Sequence, residues 1–275
     1  MENKLDLNRL CVHTQTTKPW DLETCIKEYS KAGIQHLSIW RHLLENQNLK
    51  EVRRTLQDHQ LSVTSLVRGG FFTAVSQSDR KAAIEVNKKA IDEAEAIGAP
   101  LIVLVCGADP NQSLETSRAQ IADGIHELLP YAKAANVKLA IEPLHPMYAA
   151  DKSAVVSLAQ ANDIAEQLNH PFVGIAIDVY HLWWDNQLEQ EIERCGKNNS
   201  IFAFHVCDWL SPTTDMLNDR GLMGEGTIPV KQIRNWVEQA GFQGAIEVEI
   251  FSERLWKKNQ TAFLNEIKEA YIQHT

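Results

Sequence analysis

Four side chains able to hold a cation stand near the C-terminal ends of four apolar segments in the second half of the chain. They are Glu142 in LAIEPL, Asp178 in GIAIDVYH, His205 in FAFHVCDW and Glu249 in IEVEIF. Three carboxylates converging without a counter-ion repel strongly in a low dielectric, and a bound divalent cation removes that conflict. Three carboxylates and one imidazole favour a single oxygen-preferring ion, Mn²⁺, Mg²⁺ or Co²⁺, with Zn²⁺ also admissible. No cysteine set has zinc-finger spacing, and Cys207, two residues past His205, reads as packing. Such an ion can chelate a carbonyl and its neighbouring hydroxyl and stabilise the enediolate formed when the α-proton leaves. Glu142 and Glu249, on non-adjacent strands, can then flank a small molecule as base and acid. Isomerisation, epimerisation and β-elimination from a keto-sugar all fit that arrangement.

Taken singly, a strand-end acid reads as a helix cap or loop anchor, and a histidine in AFHVC as a satisfied core residue. Recurrence on successive strands is what favours a cation site. Strand parity supports it, since alternation puts Ala140 with Glu142, Ala176 with Asp178 and Ala203 with His205 on one face. Ile246, Val248 and Ile250 take the other face of the last strand. Glu247 shares the face of Glu249 one layer deeper; Glu249 is preferred because it matches the height of the other three.

The elements that position these residues alternate along the chain. Strands are predicted at Leu10–Thr14, His36–Trp40, Ser62–Arg68, Leu101–Gly107, Lys138–Leu144, Val173–His181, Ile201–Trp209 and Ala245–Phe251. Helical segments lie between them. In Asp79–Ile97, Ala83, Val86, Ala90, Ala94 and Ile97 recur at helical spacing. Asp21 reads as an N-cap and Gly33 as a C-terminal stop. Eight β-then-α units predict an α/β fold, a closed (β/α)8 TIM barrel occupying residues 1–275 as one domain. An open doubly wound sheet would show a Gly-rich first β–α turn, and HTQTTKPWD has none. Turns from helix into strand are short, as in AGIQ, DHQ and IGAP. Several segments leaving strands are long, notably GGFFTAVSQS, HPMYAADKS and residues 210–229. In such barrels the site is built from those outgoing loops.

Bulk properties narrow the partners. A net charge of −9 argues against nucleic acid. MENKLDLNRL has no signal pattern, and no apolar run approaches ~18 residues, so a membrane is not expected. Cys11, Cys25, Cys106, Cys195 and Cys207 look like reduced core thiols, which points to a soluble cytoplasmic protein. A homo-oligomer is compatible with the sequence.

Further candidates line the same face. Arg68, in LVRGGFF, ends the third strand and reads as a substrate contact or a structural ion pair; Gly69 and Gly70 beside it would let backbone approach a ligand. His13 and Trp40 end the first two strands and read as pocket residues, His145 as a substrate contact from a Pro-flanked loop, and Trp183 with Trp184 as a sugar-stacking wall or plain packing. Asp208 and Arg220 read as a loop-ordering pair or as substrate contacts. The segment LSPTTDMLNDRGLMGEGTIP is long for a connection. Gly221, Gly224 and Gly226 suggest a hinged cover that brings Arg220 to the substrate.

AIEPL, GIAIDVYH, FHVCDW and VEIFSERLW together resemble the sugar isomerases and epimerases of the xylose-isomerase-like barrel type, a group that includes ketose 3-epimerases and inosose isomerases. The likeness follows the strands in order and is strongest from Lys138 to Trp256. It implies metal ligands at Glu142, Asp178, His205 and Glu249, a substrate histidine at His181, and substrate proton exchange by Glu142 and Glu249. It implies a sugar or polyol derivative as substrate, phosphorylated or not. Two positions depart from the ketose 3-epimerase pattern: Tyr148 stands where that branch has a glutamate and Ser211 where it has an arginine, so the branch's substrate does not carry over. A keto-sugar lyase and a non-catalytic sugar-binding protein remain as alternatives. A DNA-repair endonuclease of this barrel type is disfavoured by the acidic charge.

Overall fold

The computed structural model describes residues 7–275. Seven strands come first: β1 (Leu10–His13), β2 (His36–Trp40), β3 (Ser62–Gly70), β4 (Leu101–Val105), β5 (Lys138–Glu142), β6 (Val173–Asp178) and β7 (Ile201–Val206). A two-residue pair, β8 (Asp208–Trp209) and β9 (Arg220–Gly221), precedes the last strand, β10 (Ile246–Val248). All but β8 and β9 close into a parallel barrel in the order β1-β10-β7-β6-β5-β4-β3-β2, the predicted (β/α)8 fold. Around it run α1 (Leu22–Lys31), α2 (Leu49–Asp58), α3 (Gln77–Ile97), α4 (Leu114–Ala134), α5 (Leu158–Leu168), α6 (Val179–Leu182), α7 (Leu188–Lys197), α8 (Val230–Gln239), α9 (Glu253–Trp256) and α10 (Gln260–His274). No helix among the described residues is long and apolar enough to cross a membrane.

Strand parity places two separate cores. Val67, Leu101, Val103, Ala140, Ala176 and Ala203 pack inside the barrel, while Ile246, Val248 and Ile250 join the larger layer between strands and helices. The small alanines leave room in the barrel for the polar side chains that follow them on the same face. The five cysteines are buried and free. Asp21 accepts a hydrogen bond from Thr24 N as the cap of α1, and Gly33 follows its end at φ +77°.

Four local readings change. On α3, Val86 is 55% exposed and Asn87 takes the inward position. The amide of Asn87 satisfies both backbone groups of Gly70, accepting from its N–H and donating to its carbonyl at 2.7 Å each, so a polar residue occupies the apolar stripe. Gly70 itself, at φ +108°, lies against β4, where a Cβ would meet the Val105 carbonyl oxygen at 2.0 Å; its close approach is to a neighbouring strand and not to a ligand. The sixth strand stops at Asp178, which caps α6 by accepting from Tyr180 N at 2.8 Å, so His181 rides on a helical turn. The seventh stops at Val206, and Asp208–Trp209 turns out to pair antiparallel with Arg220–Gly221.

The segment from Leu210 to Pro229 is tied down by hydrogen bonds in this structure, and it brings Leu217 and Arg220 to the cavity lined by Glu142 and Glu249. Asp208 Oδ2 accepts from Gly224 N and Gly226 N, and its Oδ1 from Ile228 N, all at 2.9 Å. Arg220 N donates to Phe251 O, and Tyr148 and Tyr180 donate their hydroxyls to Met216 O. Asp208 therefore orders this loop through backbone amides, without pairing to Arg220. Asp208→Ala is expected to cost about 1–3 kcal/mol by leaving the buried Ile228 amide and the two partly buried glycine amides without their acceptor. Urea unfolding and limited proteolysis check it; an unchanged midpoint with no new cleavage within residues 210–229 would show that the loop does not depend on this carboxylate.

Candidate active site

Each of the four strand-end groups arrives by a different local device. Glu142 ends β5, paired with Val105 of β4. Asp178 and His205 are register partners across β6 and β7. Glu249 lies just beyond β10, where its N–H donates to Val206 O at 3.1 Å and extends the pairing. One ligand atom from each of the four lies within 4.8 Å of the others, and all four residues are buried.

Strand height alone does not choose Glu249 over Glu247. Glu247 is the register partner of His205, so backbone level favours it. The imidazole separates the two: Nδ1 of His205 faces Glu142 at 3.1 Å and Glu249 at 3.9 Å, while Nε2 faces Glu247 at 3.9 Å. Glu247 also belongs to a second, deeper set with His13 and His205. Its Oε2 accepts from Thr64 at 3.1 Å and Ser65 at 3.2 Å and contacts His13 Nε2 at 3.1 Å.

The donors fit a cation on their own geometry. Glu142 Oε1 and His205 Nδ1 are buried and 3.1 Å apart, yet neither makes a hydrogen bond. Two polar atoms aimed at the same space, with Asp178 and Glu249 beside them, make a donor set suited to a divalent ion. Without such an ion the balancing charge comes from the protein. Burial opposes the imidazolium of His205, but contact with Glu142 and the charges of Glu249 and Glu247 push its pKa up to about 10. Burial pushes the Asp178 carboxyl up to about 7 against the pull of Arg220. Burial also works to raise Glu249, and His13, Arg220 and His205 overcome it, holding that carboxylate well below its usual range. A bound cation would take the place of the His205 proton.

Above this set opens a cavity of ≈ 150 Å³. Trp40, Arg68, His181 and Arg220 line it together with Glu142 and Glu249. Arg220 is buried, its Nη1 donating to Asp178 Oδ2 at 3.1 Å and Glu249 Oε2 at 3.0 Å, with Tyr180 and Phe251 rings on its guanidinium. His181 Nε2 lies 3.4 Å from Arg220. Burial first, then Arg220, hold His181 well below the usual histidine range, so it is neutral. A cleft of ≈ 340 Å³ beside the N-terminal ends of β6 and β7 is larger, but the ligand set is not there.

Four expected pocket residues lie outside the cavity lining. His13 is fully buried in the deeper layer, bridging Glu247 and Glu249, with Nδ1 3.0 Å from Glu249 Oε1. Trp183 packs against Trp209 outside the cavity, and Trp184 is exposed, donating to the His181 carbonyl. Both follow from the early start of α6, which turns HLWW away from the strand axis. His145 meets Trp184 edge-on and Trp209 at a tilt. The apolar walls come instead from Tyr148, Phe251, Leu144 and Leu217, and Lys152 adds a cation. Phe251 shares the strand face of Glu249 and was within reach of the parity rule. Lys152 carried no signal beyond its place in a long outgoing loop.

Comparison with known proteins agrees with the barrel. The xylose isomerase-like TIM barrel family matches residues 26–270. An inosose isomerase of Halalkalibacterium halodurans is 23% identical, covering 96% of this chain and 95% of its own. An L-ribulose-5-phosphate 3-epimerase of Salmonella paratyphi A is 28% identical over 177 residues, covering 63% of this chain and 58% of its own. Among solved structures, a protein of Sinorhizobium meliloti 1021 superposes with a TM-score of 0.94 at 44% identity, covering 97% of this chain and 98% of that one. The IolI protein, solved with a bound zinc atom, has a TM-score of 0.84 at 21% identity, with 96% of each chain covered. A barrel with four cation-competent groups at the C-terminal ends of its strands, matched over nearly its whole length, makes this chain a member of the xylose isomerase-like TIM barrel family.

Proposed function

We propose that the protein is a divalent-metal-dependent isomerase or epimerase acting on a sugar, keto-sugar or polyol derivative. The observation that carries this reading is the convergence of Glu142, Asp178, His205 and Glu249 at the floor of a cavity that both glutamates line. The sugar isomerase and epimerase relatives support the substrate class. The zinc of the IolI structure adds Zn²⁺ to the Mn²⁺, Mg²⁺ and Co²⁺ that the donor set suits. Buried, unpaired thiols fit a reducing cytoplasmic setting.

When bound, the cation supplies Lewis-acid polarisation of a carbonyl and its neighbouring hydroxyl. Glu142 keeps Oε1 toward the cation site and takes the α-proton on its other carboxylate oxygen. The C–H electron pair moves toward the carbonyl, giving the enediolate. Inversion of the same carbon requires Glu249 to take up a proton from solvent first and then return it to the opposite face; ketone–aldehyde exchange instead has Glu142 deliver the abstracted proton to the adjacent carbon while the hydroxyl proton passes to the former carbonyl oxygen. His13 and Arg220 hold Glu249 from two directions, and neutral His181 orients substrate hydroxyls.

Metal analysis combined with solvent-deuterium incorporation into a panel of ketoses tests the reading. Exchange into a ketose is the expected result. Release of a leaving group would mark a lyase, and binding without exchange a non-catalytic sugar-binding protein. Metal should also stabilise the fold, because only the native state holds it. At a free-ion concentration near 100 Kd this amounts to about 2.7 kcal/mol, so chelation should lower Tm by roughly 5–10 °C. A scan unmoved by chelator, or a His205→Ala variant with full metal occupancy, would count against the site.

A further inference from the structure

The mouth of the cavity carries two cations that the proposed proton transfer does not use. Arg68 and Lys152 line it alongside Glu142 and Glu249. Neither side chain has a hydrogen-bonding or ion-pairing partner among the described residues. Each instead lies over an aromatic ring: Arg68 Cζ is 4.6 Å from the Phe71 ring centre, and Lys152 Nζ is 4.5 Å from that of Tyr148, which lines the cavity. Phe71 is 41% exposed and has φ +55°, a conformation that bulky side chains rarely adopt. Residues held in such conformations concentrate at ligand sites.

This pairing with rings is not forced by a shortage of acids. The chain has a net charge of −9. Arg9, Arg41, Arg194, Arg234 and Arg254 all meet carboxylates. Nor do the site's own carboxylates require these two cations. Arg220 already contacts Asp178 and Glu249, and a divalent ion beside it balances the remaining charge of the three acids. His13 lies against Glu247 in the layer beneath. With the site loaded, Arg68 and Lys152 are therefore surplus positive charge facing the space a substrate enters.

We infer that the substrate carries an oxyanion, a phosphate monoester or a carboxylate, which Arg68 and Lys152 hold at the mouth while its α-hydroxyketone end faces Glu142 and Glu249. The inference rests on the isomerase or epimerase reading above and names the substrate class within it. Arg68 brings a planar fork that matches two oxygens of such a group, and Lys152 a mobile point charge that closes on a third.

Three achiral probes isolate charge from sugar stereochemistry: dihydroxyacetone, dihydroxyacetone phosphate and hydroxypyruvate. All share the α-hydroxyketone and differ at the far end. Calorimetric titration of the metal-loaded protein should give an affinity for the phosphate or the carboxylate on the order of tenfold or more above that of the neutral triose, as a charge-assisted contact predicts. Whichever anion binds tighter identifies the group. In the Arg68→Gln/Lys152→Gln double variant the preference should fall to within about twofold, since neutral amides keep hydrogen bonding and lose the charge. Equal affinities for the three probes, or a preference that survives in the double variant, would overturn the inference. Deuterium exchange without a charge preference removes this inference and leaves the isomerase reading intact. A charge preference without exchange does the reverse.

Discussion

Arg220→Met should lower the stability of the metal-free protein by about 3–5 kcal/mol, the usual result of leaving one partner of a buried ion pair uncompensated. Arg220 is 3% exposed and contacts Asp178 and Glu249 at 3.1 and 3.0 Å. Met keeps an apolar stem between the Tyr180 and Phe251 rings, so packing changes little and the loss reports charge. At the roughly 2–4 °C per kcal/mol typical of chains this long, Tm should fall by about 6–20 °C. A second signature separates this from a generic core defect. Without the guanidinium, a divalent ion compensates more of the Asp178 charge, so the Tm gap between metal-loaded and chelated protein should widen in the variant. Melting within a degree or two of the parent in both states would sink the argument. A mobile lid would instead predict altered kinetics with no loss of stability.

The barrel was legible because its information is local. Alternation within LAIEPL and GIAIDVYH tells which side chains face inward whatever the rest of the chain does, and the interior cluster contains the alanines that this rule selects. The strand ends were less legible because they are decided by side-chain capping. DVYH reads as a continuing strand until Asp178 accepts the Tyr180 amide and starts a helix. Once that turn begins, Trp183 and Trp184 leave the pocket and His181 stays in it.

Depth was the other missing quantity. A single strand does not reveal what a side chain meets across the barrel, so His13, at the end of β1, read as a pocket residue although it is fully buried between Glu247 and Glu249. Register undoes the height argument for Glu249 in the same way: it sets Glu247 opposite His205, and the imidazole's two nitrogens divide the upper set from the lower. Lys152 depends on contacts remote in sequence. Its carbonyl accepts from Gly107 N at 2.9 Å, and Gly107 and Ser153 form an isolated bridge that fixes the loop. Asn87 depends on Gly70 in the same way.

Glu142→Gln should reduce turnover by about 10²–10⁴-fold while the protein keeps part of its metal and still binds substrate, the loss expected when a general base is removed. Glutamine preserves size and one oxygen ligand. It cannot accept the α-proton at its amide oxygen with the basicity of a carboxylate. Glu142 is the cleaner probe of the two proposed proton carriers because its Oε1 has no hydrogen-bond partner to lose, whereas Glu249 is held by both His13 and Arg220. A change at Glu249 would mix lost chemistry with lost ion pairs. The deeper acid supplies the control. Glu247 accepts from Thr64 and Ser65 and lies outside the cavity lining, so Glu247→Gln should cost about 1–3 kcal/mol of stability through disturbed buried hydrogen bonds. Its turnover per folded, metal-loaded molecule should fall far less than that of Glu142→Gln. Paired measurements of metal content, Tm and single-turnover rate on the two variants decide the assignment. If Glu142→Gln turns over its true substrate normally, Glu142 is a structural acid, and proton transfer must be carried by Glu249 or by a group outside this set.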